Sequence, residues 1–218
     1  MTFLDKHRSA RSLVILVLGI ALFLSLAGSF APKYLYYADA PVKSDTVVLF
    51  VGPGFWARQM EAMRMVEEGY ADYILIPFLG FAGKDSPAIL GVVNFRYELS
   101  KYYKSDLEDS TRGLGPLFRN GKLPVQNTHL EVLEAKRMME ERGLKSALLV
   151  SSPYHMRRIK IIAKTVFGND GKYALSFVPT GFEKLPSGFS GLFRYAYESI
   201  IQEYLKIGVF LACTHFEG

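Results

Sequence analysis

The chain has 218 residues, room for one globular domain with an appendage but not for two full domains. Half of its residues are hydrophobic and 22% are charged, which excludes disordered, collagen-like and low-complexity readings. A single cysteine, Cys213, excludes a disulfide framework and a cysteine-built zinc site. Lys plus Arg number 26 against 21 Asp plus Glu, and charges so balanced and scattered carry no nucleic-acid footprint.

From Ser12 to Pro32 no residue is charged, and Leu13 to Ala31 reads LVILVLGIALFLSLAGSFA, about the length that crosses hydrocarbon as a helix. The chain therefore divides into a basic N-terminus (1–11), a transmembrane anchor (12–32), a tether (33–44) and an α/β domain (45–218). A cleaved signal peptide is the rival reading, with Ser25-Leu26-Ala27 as its cleavage site, but the apolar run is long for one. Lys6, Arg8 and Arg11 precede the run and only Lys33 follows closely, so the positive-inside rule puts the N-terminus in the cytoplasm and the domain outside. With those three and Asp5 set aside, 23 basic residues face 20 acidic ones. Tyr34, Tyr36 and Tyr37 stand where an interfacial aromatic belt would lie.

Asp45 to Val51 is a β-branched apolar run stopped by Gly52-Pro53-Gly54, the pattern of a strand buried on both faces. A helix over Trp56 to Glu68 follows, expected to turn Trp56, Met60, Met63 and Val66 inward and Arg58, Glu61, Arg64 and Glu67 outward. Asp72 to Phe78 predicts a second strand and the residues through Gly80 and Gly83 a loop. Pro87 to Tyr103 reads as helical, and Asp106 to Lys122 as an extended loop. Leu123 to Gln126 predicts a short strand, and Asn127-Thr128 opens a helix whose Thr128 and Glu131 form a T-x-x-E capping box. Ser146 to Ser151 is a third buried strand, Pro153 to Phe167 a helix, Tyr173 to Pro179 a strand and Ser190 to Cys213 a final helix. Glu198, Glu203 and Lys206 keep that last helix from being a second span. Strand and helix in alternation predict a Rossmann-like three-layer α/β domain around a mainly parallel sheet.

In such a sheet ligands bind beyond the carboxyl ends of the strands. That rule selects Gly52, Gly54 and Arg58 after the first strand, Ser151, Ser152, His155, Arg157 and Arg158 after the third clear one, Thr180-Gly181 after the last, and Asn127 with Thr128 at a helix start on the same edge. In SSPYHMRR (Ser151 to Arg158) basic residues crowd the first turn of a helix, against the dipole preference. A bound anion resolves that conflict, because free N–H groups and guanidinium groups together cradle phosphate or carboxylate. His155 is the candidate acid-base residue. Gly52-Pro53-Gly54 lacks the third glycine of a dinucleotide fingerprint, no G-x-S-x-G elbow surrounds Ser151 or Ser152, and no spacing spells a zinc site. The residues name no cofactor.

The stretch NTHLEVLEAKRMMEERGLKSALLVSSPYHMRRI, Asn127 to Ile159, resembles the most recognisable block of the YdcF-like family, which is SanA/ElyC-like and also called domain of unknown function 218. Weaker similarity covers Thr46 to Val51, Gly52 and Arg58, and the order of elements fits to about Glu203. The chain departs from the family at Pro77-Phe78-Leu79-Gly80, where a Ser-Gly-Gly turn is usual, and at Leu123 to Gln126, which lacks the acidic residue found before the Asn-Thr pair. The resemblance implies a Rossmann-like fold, often anchored to the bacterial inner membrane, and a place in cell-envelope biogenesis linked to carrier lipids or peptidoglycan. The expected function is binding of a phosphorylated or other anionic ligand, small or lipid-linked, with its processing left open. A non-catalytic partner-binding module using a surface near Phe189 to Phe193, and a nucleotide or S-adenosylmethionine binder on the cytoplasmic side, stand as alternatives.

Overall fold

The computed structural model describes residues 14–19, 22, 25, 30–52, 54–83, 124–185 and 197–216, with the backbone alone at 79, 124–127, 197–198 and 215–216. Five strands form one sheet: β1 (Thr46–Leu49), β2 (Tyr73–Ile76), β3 (Phe81–Gly83), β4 (Ser146–Ser151) and β5 (Ala174–Pro179), in the order β3-β2-β1-β4-β5. All neighbours are parallel except β2 and β3. The arrangement is a mostly parallel α/β sheet, compatible with a Rossmann-like domain.

Alternation along the strands divides the core. Val47, Leu49, Ile74, Ile76, Leu148 and Val150 face helix α1 (Phe55–Glu67) and its Phe55, Ala62 and Met65. Val48, Phe50, Leu75, Ala147 and Leu149 face the other way. There they meet α2 (Pro124–Glu141) through Val132, Ala135 and Met139, and α3 (Met156–Phe167) through Ile159 and Ile162. The final helix, α4 (Tyr197–Phe216), adds Phe210 to this second layer. At the entry to β1, Asp45 accepts the Lys145 and Ser146 amides at 2.7 and 2.8 Å and donates its own amide to Ser146 Oγ at 2.8 Å, which sets β1 against β4. The Lys145 amide, against a small cost of burial, holds the Asp45 carboxyl below the usual carboxylate value.

Several expectations are corrected. Residues 81–83 form the antiparallel edge strand, closing a 3₁₀ turn over Pro77–Leu79. Pro124 begins α2, so Pro124 to Gln126 are helical rather than a strand, and Thr128 and Glu131 lie inside the helix instead of capping it. The stretch from Pro153 splits into a 3₁₀ turn (Pro153–His155) and α3. On α1 the expected facing fails at three positions: Trp56 is 64% exposed while Arg58 and Glu61 are buried, whereas Met63 and Val66 pack against the core and Arg64 and Glu67 are exposed as expected. Phe55, Ala62 and Met65 are the apolar residues that meet the sheet, and that facing carries Arg58 and Glu61 inward with them.

The tether is tied down. The Asp39 amide donates to Phe177 O at 2.8 Å, Asp39 Oδ2 accepts the Phe177 amide at 3.1 Å, and the Ser44 amide donates to Tyr70 O at 2.8 Å. Upstream, Leu35 packs with Ile200 and Ile207 of α4, and Tyr34 stacks on Tyr204. Among the described residues no helix is long and apolar enough to cross a membrane. Of the expected span 12–32, residues 14–19, 22, 25 and 30–32 are described, all helical. The readings over 87–103 and 106–122 and at Phe189 to Phe193 fall outside the described residues.

Candidate functional site

β2 lies on one side of β1 and β4 on the other, so the strand order reverses between β1 and β4, and in such a sheet the place for a ligand is the crevice at the carboxyl ends of those two strands. Beyond β1, Gly54 is the N-cap of α1 in the left-handed region (φ 72°) with no side-chain cap bond, as its missing Cβ permits. Gly52, at φ 156°, leaves room for Arg58: a Cβ there would come within 2.9 Å of Arg58 Nη1. Beyond β4, Ser152 remains extended and the 3₁₀ turn brings in Tyr154 and His155. Beyond β5, Thr180 Oγ donates to Ala57 O at 2.7 Å, and Glu61 Oε2 accepts the Gly181 amide at 2.9 Å. Those two bonds pin the following loop, with Phe182 and Glu183, over the start of α1.

Two buried arginines sit under this edge. Arg158 is fully engaged: Nε and Nη2 meet Glu203 at 2.6 and 3.1 Å, and Nη1 donates to Thr128 Oγ at 2.5 Å. His155 Nδ1 lies 3.0 Å from Glu203 Oε1 and 3.3 Å from Arg158 Nη2. The nearer carboxylate assigns the ring proton to Nδ1 and leaves Nε2 as the acceptor. Burial holds the His155 imidazolium down, to about 4, despite the opposing Glu203 contact, so the ring is neutral at neutral pH. Burial would push Glu203 up, but His155 and Arg158 outweigh it and hold the carboxyl at about 2.

Arg58, 2% exposed, donates from Nε to Ser152 Oγ at 2.9 Å and from Nη1 to Phe50 O at 3.2 Å. It has no bidentate carboxylate. Desolvation lowers its affinity for its proton, offset by Tyr154, Glu131 and Glu183. Glu131 accepts the Val51 amide at 3.1 Å, and burial raises its carboxyl to about 7 against the pull of that amide and of both arginines. Tyr154 is likewise raised, by burial first and by Glu183.

Among the described residues, three buried side-chain polar atoms lack a hydrogen-bond partner: Arg58 Nη2, Ser151 Oγ and Glu183 Oε2. All three stand at this edge. A buried unsatisfied polar group costs roughly 1–3 kcal/mol, so three of them on residues that follow strands at one sheet edge make this edge the candidate site.

Of the residues selected from sequence, Gly52, Gly54, Arg58, Ser151 and Ser152 come together around the orphaned atoms, and Thr128, His155 and Arg158 form the adjoining buried cluster. Arg157 does not join them. Its guanidinium lies over the Tyr34 and Tyr37 rings, at 4.9 and 5.3 Å from their centroids, and its Nε donates to Tyr34 O at 2.9 Å. One helical position turns it from the crevice to the outer flank. The Asn127 side chain falls outside the described residues. Sequence reasoning missed Tyr154, Glu183 and the site roles of Glu131 and Glu203. Glu203 had a signal, a carboxylate flanked by apolar residues within a largely apolar helix, whereas nothing near Glu183 distinguishes it from a surface loop residue. Among the described residues no group of three or more His, Cys, Asp or Glu could hold a metal ion.

No family model, curated protein or solved structure matches this chain. Fold and site together define its class: a mostly parallel α/β domain with a polar crevice at the switch point of its sheet.

Proposed function

We propose that the protein is an anchored envelope protein of the bacterial inner membrane that binds a phosphorylated or other anionic ligand at the β1–β4 switch point and moves a proton on it through His155. The observation that carries this reading is that the orphaned Arg58 Nη2 and Ser151 Oγ belong to residues at the carboxyl ends of the neighbouring strands β1 and β4, where α1 starts with no side-chain cap. Helix amides, an unpartnered guanidinium N–H and a hydroxyl are the donors an oxyanion takes. Arg58 thus replaces Arg157 and Arg158 as the anion-binding residue, and Arg158 with Glu203 becomes the support that orients His155. An oxyanion bound nearby favours the imidazolium and prepares the ring to accept a proton.

The resemblance of Asn127 to Ile159 to the YdcF-like family supports the envelope setting and a carrier-lipid or peptidoglycan-related ligand. The anchor is supported by the apolar run itself, by helical, exposed Val14, Ile15, Leu16, Val17 and Leu18, and by Lys160 and Arg157 against the tyrosines that follow it. The partner-module reading has one observation in its favour: Ile201, Leu205 and Val209 recur every fourth residue on α4 and are exposed.

The test is a thermal titration of the full chain in detergent with inorganic phosphate and polyprenyl-phosphate head-group analogues. At a concentration of 100 Kd a ligand of the folded state adds about 2.7 kcal/mol. Arg58→Gln is expected to abolish the shift, and His155→Ala to keep binding while removing turnover. Binding undiminished in Arg58→Gln would sink the proposal.

A further inference from the structure

The crevice holds an orphaned acceptor as well as orphaned donors. Glu183 Oε2 is buried without a partner, and a Cβ on Gly54 would lie 3.0 Å from it, so it stands at the mouth of the site in which Arg58 lies. A bare oxyanion cannot satisfy both ends, because it would answer Arg58 and repel Glu183. The two ends are close in space: Arg58 Nε donates to Ser152 Oγ, and a Cβ on Gly54 would lie 3.5 Å from that hydroxyl as well as 3.0 Å from Glu183 Oε2.

The rim is aromatic. Trp56 is 64% exposed and Phe182 47%, and their rings meet edge to face at 6.3 Å. The Phe182 amide donates to Thr180 Oγ at 3.2 Å, and that hydroxyl donates to Ala57 O, so the pair is anchored beside the α1 start. An exposed tryptophan two residues beyond the N-cap gains little from burial and is placed to cover the carbon skeleton of a ligand.

Building on the anion-site reading, we infer that the ligand is a phosphate ester whose carbon skeleton carries a hydroxyl or ammonium donor close to the phosphate, with Glu183 as the residue that selects for that donor and Trp56 and Phe182 covering the skeleton. The phosphate meets Arg58 Nη2 and Ser151 Oγ. The donor meets Glu183 Oε2. A site built to pair a donor rejects the analogue that lacks it, since the carboxylate then stays buried and unpaired.

The experiment measures binding to the full chain in detergent by calorimetry, with inorganic phosphate, propyl phosphate, glycerol 3-phosphate, ethyl phosphate and 2-aminoethyl phosphate. Glycerol 3-phosphate over propyl phosphate, or 2-aminoethyl phosphate over ethyl phosphate, is expected to gain at least about tenfold in affinity; whichever pair shows the gain identifies the donor as hydroxyl or ammonium. In Glu183→Leu that gain is expected to collapse while the donor-free esters bind as well as before or better, which also reports that the variant is folded. Trp56→Ala is expected to weaken the esters and leave inorganic phosphate unchanged. If all the esters bind equally to the native chain, selection by Glu183 is overturned and the anion site stands. If none of the five binds, both readings fall.

Discussion

Arg58 and Arg158 are buried at the same sheet edge, yet their surroundings differ in kind. Arg158 has a bidentate carboxylate and a threonine hydroxyl, so each of its three nitrogens has an acceptor. Arg58 has a serine, a carbonyl and an Nη2 group left without a partner. The first pattern is that of a support, since a charge moved out of water is tolerated when a partner of opposite charge and good geometry meets it. The second leaves a desolvation cost that a ligand can relieve. Burial alone distinguishes neither; the partner inventory does.

The sharpest way to break this comparison is to open the supported cluster. Glu203→Ala strands Arg158 in the interior and is expected to cost about 3–5 kcal/mol, read by denaturant unfolding. A loss below 1 kcal/mol would mean that the pair contributes little.

Next in size is Glu131, which lies between the two arginines. Its carboxyl is raised to about 7 in the folded chain from an ordinary 4.5, so the unfolded chain releases this proton first and stability falls as pH rises from about 4.5 to 7. Glu131→Gln keeps an acceptor for the Val51 amide and removes the titration. It is expected to stabilise the protein by an amount on the order of 3 kcal/mol at pH 8 and by little at pH 4. His155 acts in the opposite sense: with its folded value at about 4 against 6.5, its contribution is lost as pH falls below about 6.5. The melting profiles of the native chain, Glu131→Gln and His155→Gln across pH 4 to 8 separate the two.

Arg58→Met is the counterpart of the first prediction. Because it removes an imperfectly satisfied buried cation, stability is expected to change by less than about 1 kcal/mol while phosphate binding disappears. A loss as large as that of Glu203→Ala would place Arg58 among the supports. The smallest effect belongs to Arg157→Ala, about 0.5–1 kcal/mol from its contacts over Tyr34 and Tyr37, with ligand affinity unchanged. Weakened binding in that variant would return Arg157 to the site.

Much of the frame was legible. The apolar β-branched runs at Thr46, Ile74 and Ala147 announce strands because a strand covered on both faces must be apolar at every position. The glycine breaks and the alternation with helices then predict the carboxyl edge as the place for a site, and Gly52, Gly54, Arg58, Thr128, Ser151, Ser152, His155 and Arg158 lie at or against that edge, while Arg157 turns away from it. Facing was harder to read. On α1 neighbouring residues differ by about 100° in direction, and hydropathy alone put Trp56 inside and Arg58 outside because the partners that make a buried arginine tolerable lie elsewhere in the chain.

By itself the sequence determined the type of the main elements, the apolar run at 12–32 and the sheet edge where a site belongs, because those follow from local periodicity and from the geometry of a parallel sheet. Tertiary structure alone decided that β3 runs antiparallel, that Arg157 turns out to the tyrosines while Arg158 turns in to Glu203, and that Arg58, Ser151 and Glu183 are left with unpaired atoms in one crevice. Whether a polar atom is paired depends on residues as distant as Arg58 and Ser152 or Arg158 and Glu203, and a chain read in order does not place them side by side.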